Sequence, residues 1–262
     1  MQVVVITGGS SGIGSATAAL FARKGWRVYE LSRHQRHVVD NVTHVNCDVT
    51  NEAQCKAALA TVMEQEKHID VLISNAGYGI SGPIEFTKTE DAKAMFDVNF
   101  FGALNITKAV LPYMRAQKSG RILFTSSVAA PLSVPFQSFY SASKAALNAL
   151  ALALQNEVRP FGIRVGVLMP GDVQTGFTDA RQKNHDAQEN AVYERAKNAV
   201  EAMEKDERNG MKPEQMAKLF YRMATKRFLP VYTVGGGMYK VFCLLDKLLP
   251  KTIVNAIEGA MY

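Results

Sequence analysis

The stretch from Gln2 to Leu31 constrains the fold more than any other part of the chain. The apolar run Gln2 to Ile6 has the length and β-branched content of a strand buried on both faces. Thr7-Gly8-Gly9-Ser10-Ser11-Gly12-Ile13-Gly14 follows without a spacer. An alanine-rich helical pattern then runs from Ser15 to Lys24 and stops at Gly25, a plausible helix C-cap. A second apolar run, Arg27 to Leu31, completes a βαβ unit. Glycines at a strand–helix junction let the backbone turn tightly and approach a pyrophosphate, whose charge sits at the helix N-terminus. Such glycines say little alone and much more when a strand precedes and a helix follows.

The alternation continues down the chain. Thr43 to Asn46 is a third short apolar stretch, leading into Cys47-Asp48-Val49-Thr50, and residues 51 to 66 read as an amphipathic helix. Ile69 to Ser74 is a fourth strand ending in Asn75-Ala76-Gly77. A long helix from Glu90 to Arg115 carries Asn99, and a fifth strand, Arg121 to Thr125, ends in Ser126-Ser127. A helix containing Tyr140 runs to about Pro160. The sixth strand, Ile163 to Leu168, breaks at Pro170-Gly171. This pattern predicts a single α/β domain: one doubly wound, Rossmann-type parallel sheet with right-handed crossovers and helices on both faces. A chain of 262 residues has room for one such domain and shows no second core. Asn75, Ser127 and Pro170 each follow a strand, so they converge with the glycine turn on one sheet edge, where open α/β sheets hold ligands.

Within Phe139 to Asn148, Tyr140 and Lys144 lie one turn apart on the same helical face. A phenol is a poor acid near neutral pH, and a lysine cation beside it favours the phenolate. The pair is therefore suited to general acid–base work. At the end of the second strand stand Ser32 and Arg33, where folds that bind the unphosphorylated dinucleotide commonly carry an acidic residue. Arg33 suits a 2′-phosphate, so NADP(H) is expected in preference to NAD(H). Asp48 either accepts from the adenine amino group or caps the helix beginning near Asn51. Asn99, a polar amide among apolar neighbours, demands a hydrogen-bond partner.

Other classes are disfavoured. The net charge of +6 comes from scattered Lys and Arg with no basic run, which argues against nucleic acid. Cys47, Cys55 and Cys243 read as reduced thiols in a cytoplasmic protein. His34, His37 and His44 near Cys47 match no common zinc spacing and read as a polar loop, so no metal is expected. The strand beginning at Gln2 leaves no room for a signal peptide, and no apolar run is long enough to span a membrane.

Taken together, Thr7 to Gly14, Asp48, Asn75-Ala76-Gly77, Asn99, Ser127, Tyr140, Lys144 and Pro170-Gly171 with Thr175 resemble the short-chain dehydrogenase/reductase family over residues 2 to 178. The resemblance implies a catalytic tetrad of Asn99, Ser127, Tyr140 and Lys144. It also implies a dinucleotide held by Gly8, Ser10, Ser11, Gly12, Ile13, Gly14, Ser32, Arg33, Asp48, Val49, Asn75, Ala76 and Gly77, together with Tyr140, Lys144, Pro170, Gly171, Val173 and Thr175. In reduction Tyr140 would protonate the developing alkoxide and Ser127 would position the same oxygen. Lys144 would lower the phenol's pKa and bind the nicotinamide ribose, and Asn99 would hold a water linking the lysine to solvent. Family habit also implies a homodimer or homotetramer.

Beyond Thr175 the residues speak less clearly. Residues 176 to 226 are read as a substrate lid with helices, including helical stretches around Ala187 to Lys205, and Arg227 to Val234 as the last strand. From Met238 an apolar helical stripe (Val241, Phe242, Leu245, Leu248, Leu249) runs to Pro250, followed by Ile253, Val254, Ile257 and Met261. This tail, residues 238 to 262, docks on its own core, on a twin subunit, or on a lipid surface through the flanking Lys240, Lys247 and Lys251. Such tails occur in relatives resembling hydroxysteroid dehydrogenases. Ser127, Val134, Phe136, Tyr78, Tyr140 and Phe177 would then line a pocket for a bulky apolar ketone or secondary alcohol such as a steroid. The alternatives are a reductase of small or acyl-chain carbonyls, a nucleotide-sugar epimerase, which the short chain beyond the sheet disfavours, and a regulator that binds NADPH without turnover.

Overall fold

The βαβ unit expected at the N-terminus comprises β1 (Val3–Thr7), α1 (Gly12–Arg23) and β2 (Arg27–Ser32). The computed structural model describes residues 1–34, 39–183 and 192–261. His37, and the part of the expected helix at 187–191, lie outside the described residues. β1 and β2 run parallel, Val3 opposite Arg27 through Thr7 opposite Leu31. Just past α1, Gly25 takes a φ of +79°, which glycine adopts without steric cost. Its N–H closes the helix end on the Ala22 carbonyl at 2.9 Å.

In chain order there follow β3 (Val42–Asn46), α2 (Glu52–Glu66), β4 (Val71–Ser74), the short β5 (Ile80–Ser81), α3 (Thr89–Phe96), α4 (Ala103–Gln117), β6 (Gly120–Thr125), α5 (Ser138–Val158) and β7 (Ile163–Pro170). Then come α6 (Phe177–Ala180), β8 (Gln182–Lys183), α7 (Glu194–Arg208), α8 (Pro213–Thr225), β9 (Tyr232–Gly235), α9 (Gly237–Leu248) and α10 (Lys251–Met261). Seven strands form one parallel sheet in the order β3-β2-β1-β4-β6-β7-β9, and β5 pairs with β8 beside it. This is the doubly wound α/β architecture expected from the alternation. The last strand is shorter than the Arg227–Val234 run because Pro230 has no N–H for the ladder.

The two faces of the sheet carry separate cores, and β1 feeds both by alternation. Val3 and Val5 join Leu59, Ile106, Phe124 and Leu154 under α2, α4 and α5. Val4 and Ile6 join Phe21, Ile73 and Phe220 under α1 and α8. α8 packs along α1 with Met216, Ala217, Phe220 and Met223 buried. Within the 176–226 range Pro213–Thr225 is a core helix, whereas Phe177, Ala180, Gln182, Met203 and Glu207 border the cavity described below.

Between α3 and α4 the backbone stays helical, but Asp97–Gly102 widens into a π-turn. A side chain at Gly102 would place its Cβ 2.6 Å from Val49 Cγ2, so the widened turn packs directly on the β3–α2 loop. Inserted π-turns are frequent at functional sites. This one contains Asn99.

Candidate active site

The glycine turn is built to receive an anion. Ser11 precedes α1 in an extended conformation, its side chain makes no capping hydrogen bond, and the first turn carries no acidic residue. The first backbone N–H groups of α1 are thus left without side-chain partners, in the position where a helix terminus attracts phosphate. Gly8 (φ +64°) and Gly12 (φ +51°) adopt conformations that disfavour any side chain. A Cβ on Gly8 would come within 2.9 Å of Ala76 Cα, so the turn lies directly against the end of β4. These features fit a dinucleotide pyrophosphate.

A cavity of about 1030 Å³ runs from this turn across the C-terminal edge of the sheet. Gly8, Ser10, Ser11, Gly12, Ile13, Ser32, Arg33, Asp48, Val49, Asn75, Ala76, Gly77, Pro170, Gly171, Val173 and Thr175 line it, with Ser127, Tyr140 and Lys144. Two expected members do not. Gly14 lies behind the turn, where a Cβ would sit 2.2 Å from the Gly8 carbonyl oxygen, so its role is close packing. Asn99 is 1% exposed and sits beneath the cavity floor.

Asn99 has its partners within the protein. Its Nδ2 donates to the Tyr78 carbonyl at 2.9 Å and to Ser143 Oγ at 3.2 Å, and its Oδ1 accepts from the Tyr78 N–H at 3.0 Å. The amide therefore braces the loop following β4 against α5. Asn75 is similarly committed: its Nδ2 donates to the Thr7 and Gly8 carbonyls at 3.2 and 3.3 Å, and its Oδ1 accepts from Thr125 Oγ1 at 3.0 Å. Asp48 is not the cap of α2. Its Oδ1 accepts from Thr50 N–H at 2.9 Å, whereas Asn51 Oδ1 accepts from Gln54 N–H at 3.1 Å and caps the helix.

Tyr140 and Lys144 share one face of α5, as their spacing requires. The phenol is nearly enclosed, and burial pushes its pKa up to about 12, while the Ser127 hydroxyl hydrogen-bonded to it pulls the other way. Burial also pushes the Lys144 ammonium down, to about 8. Lys144 Nζ donates to the Thr125 carbonyl at 2.9 Å and lies 5.7 Å from the Tyr140 ring centre. Desolvation is the largest influence on both groups, and the Ser127 hydrogen bond is the largest that lowers the phenol. A side chain at Gly77 would reach within 2.9 Å of Asn99 Oδ1 and 3.4 Å of Lys144 Nζ, so that position closes the pocket over the lysine.

Toward the substrate end, the Phe177 ring lies 5.6 Å from that of Tyr140, and Tyr78 and Val134 pack in the same cluster. Phe136 does not line the cavity: its backbone sits at φ +59° with its carbonyl accepting from Gly82 N–H at 2.8 Å. Phe177 is held from behind by Arg181, whose guanidinium lies 5.7 Å from the ring centre. Arg181 in turn pairs with Glu207 of α7, which also accepts from Thr178 Oγ1 at 2.7 Å.

Sequence reasoning missed several contributors. Glu30 on β2 is a buried carboxylate that meets His44 and lies against Gly9, outside the cavity lining. The rim at that end therefore presents Ser32, Arg33 and His34 and no carboxylate from β2. Asp172 lines the cavity and accepts from the Tyr239 hydroxyl; burial raises its pKa. Its place immediately after Pro170-Gly171 was the available signal. Phe242, Leu245, Leu249 and Ile257 of the C-terminal hairpin also line the cavity, so one face of the tail docks over the site.

Residues 2–186 match the short chain dehydrogenase family. A 3-ketodihydrosphingosine reductase of Bacteroides thetaiotaomicron is 37% identical over 247 residues, covering 94% of this chain and 92% of the relative. A short-chain dehydrogenase from Streptomyces avermitilis superposes with a TM-score of 0.84 at 28% identity, over 99% of this chain and 96% of the other. A short chain dehydrogenase/reductase from Burkholderia phymatum, solved in complex with NAD, superposes with a TM-score of 0.80 at 26% identity, over 94% and 92% of the two chains. With its parallel sheet, glycine turn and Tyr140–Lys144 helix, the chain belongs to the short-chain dehydrogenase/reductase family, whose oxidoreductases bind a nicotinamide dinucleotide.

Proposed function

We propose that the protein is an NADPH-dependent reductase of a bulky, apolar ketone, with Tyr140 as the proton donor. The observation that carries the substrate class is the cavity beyond Tyr140. It continues past Phe177, Leu132 and Met203 to the inner faces of α9 and α10, more apolar room than a small ketone requires. The relative that reduces 3-ketodihydrosphingosine, a long-chain ketone, supports that reading. Steroid ketones are the other bulky class that such a space admits.

When bound, a reduced nicotinamide supplies hydride to the carbonyl carbon. The chain's own residues supply the rest. Ser127 and Tyr140 share a hydrogen bond at the cavity wall, so a carbonyl oxygen seated beside them would accept from both hydroxyls. A phenol held near 12 stays protonated at neutral pH and serves as an acid as charge develops on that oxygen. Lys144, anchored on Thr125, supplies positive charge beneath the site, and Asn99 fixes the backbone of Tyr78 at the cavity wall. Arg33 and Ser32 form the polar rim for the adenine ribose, and Arg33 supports the preference for a 2′-phosphate.

The test is loss of reduced-nicotinamide absorbance with NADPH and NADH in parallel, against 3-ketodihydrosphingosine, a steroid ketone and a small polar ketone. Faster loss of NADPH with either lipophilic ketone is the expected result. Turnover of small polar ketones alone would refute the substrate class, and preference for NADH would refute the reading of Ser32-Arg33. Tight NADPH binding with no turnover would leave a regulator as the better account.

A further inference from the structure

We infer that the outward face of the α9–α10 hairpin docks the protein on an anionic lipid bilayer. The inference goes beyond the reductase reading and does not depend on it. The hairpin is apolar on two sides. Its inner side covers the cavity through Phe242, Leu249 and Val254. Its outer side carries Val241 (54% exposed), Leu244 (55%), Leu248 (70%) and Ile253 (48%), none of which lines the cavity. Single exposed apolar residues are ordinary on a protein surface, but a group on one short hairpin marks an interaction surface.

The charges select the occupant. Among the described residues of the hairpin, Lys240 and Lys247 are exposed, and Lys251, also exposed, turns its ammonium to Asp246 and the Pro131 carbonyl. The two carboxylates point inward: Asp246 is 9% exposed and paired with Lys251, and Glu258 lines the cavity. The outer face is therefore apolar and cationic, with no exposed carboxylate among its described residues. A second copy meeting this face symmetrically would bring lysine against lysine with no acid to neutralise them. An anionic bilayer satisfies both halves of the surface, taking the apolar side chains below the headgroups and the lysines at them. Met238, Leu245 and Ile257 both line the cavity and reach the surface, so the pocket opens on the face that would meet lipid.

The experiment is co-sedimentation of the full chain with phosphatidylcholine vesicles, with and without phosphatidylglycerol, beside light scattering for oligomeric state. Binding to the anionic vesicles is expected, weakening as salt is raised. Lys240→Gln with Lys247→Gln should weaken it roughly 30-fold, the product of two headgroup-level charges. Leu244→Glu with Leu248→Glu should weaken it at least about tenfold. Reduction of a water-soluble ketone, or NADPH binding where no ketone turns over, should change in neither variant; the lysine pair serves if the leucine pair fails to fold. Wild-type protein left in the supernatant with both vesicles would overturn the inference, as would equal binding to neutral and anionic vesicles. So would a leucine variant that turns a dimer into a monomer while still binding vesicles. Because vesicle binding needs no turnover, its failure is distinguishable from failure of the reductase reading.

Discussion

Lys144 directs its ammonium at the carbonyl oxygen of Thr125, 2.9 Å away, while Tyr140 lies one helical turn earlier with its ring centre 5.7 Å from the same nitrogen. The two groups are linked to the sheet separately: Lys144 through β6, and Tyr140 through the Ser127 hydroxyl that follows β6. Removing the phenol oxygen should therefore leave the lysine in place. Tyr140→Phe is expected to lower the rate of ketone reduction by at least about a thousandfold while changing the NADPH dissociation constant less than about threefold. Stopped-flow turnover and fluorescence titration of NADPH check the two halves.

Burial gives the reaction a direction-dependent pH profile. With the phenol near 12, its proton is in place across the neutral range, so ketone reduction should be nearly flat between about pH 5 and pH 7 and fall only as the Lys144 ammonium, held near 8, loses its charge. Oxidation of the product alcohol needs the phenolate, so its kcat/KM should rise with pH over the same range, by up to about tenfold per unit. Initial rates in both directions on one substrate pair check this. A reduction rate that falls steadily between pH 5 and pH 7 would contradict it.

Lys144 also costs stability. Its pKa falls from 10.5 to about 8 on folding, so the cost is fully present below pH 8 and is relieved as pH rises toward 10.5. The shift corresponds to about 3 kcal/mol, offset in part by about 1 kcal/mol from the bond to Thr125. Lys144→Met should therefore be inactive yet more stable than wild type by about 1–2 kcal/mol at pH 7, with the gain shrinking toward pH 9.5. Urea unfolding at the two pH values reads this directly.

Much of this arrangement was legible in the chain. Val3 to Thr7, the glycine turn and the Tyr140–Lys144 spacing each carry a local period or a fixed offset, and such signals survive into structure. The unread parts are contacts between residues far apart in sequence. Nothing near Glu30 announces that His44 will meet its carboxylate across two strands, and nothing near Asn99 announces the Tyr78 backbone. Gly14 and Gly12 look alike in the motif, yet only one lines the cavity, because the other is filled by the Gly8 carbonyl. The apolar stripe at Met238 to Leu249 fixed a helix but not which of its faces would cover the pocket.

Arg33 tests the cofactor reading. It lines the groove beyond β2, and its backbone carbonyl accepts from Asn46 Nδ2 at 2.7 Å, so the local backbone has an anchor independent of the guanidinium. Arg33→Ala should raise the KM for NADPH by about 10–100-fold and leave that for NADH within about twofold. Equal losses for both cofactors would mean that the side chain serves the fold instead.

The clamp behind Phe177 joins stability to substrate binding. Arg181 has 1% of its side chain exposed and is neutralised by Glu207, so Glu207→Leu strands a buried cation and should cost about 3–5 kcal/mol, read by urea unfolding. Arg181→Leu with Glu207→Leu removes both charges and should recover most of that loss. The double variant still lacks the guanidinium stacked on Phe177 and the acceptor for Thr178, so α6 is less firmly held over Tyr140. Its KM for a bulky ketone should rise several-fold with kcat changed less, since Ser127, Tyr140 and Lys144 are untouched. A double variant as unstable as Glu207→Leu alone would show that α6 depends on the ion pair itself and not on relief of an unpaired charge.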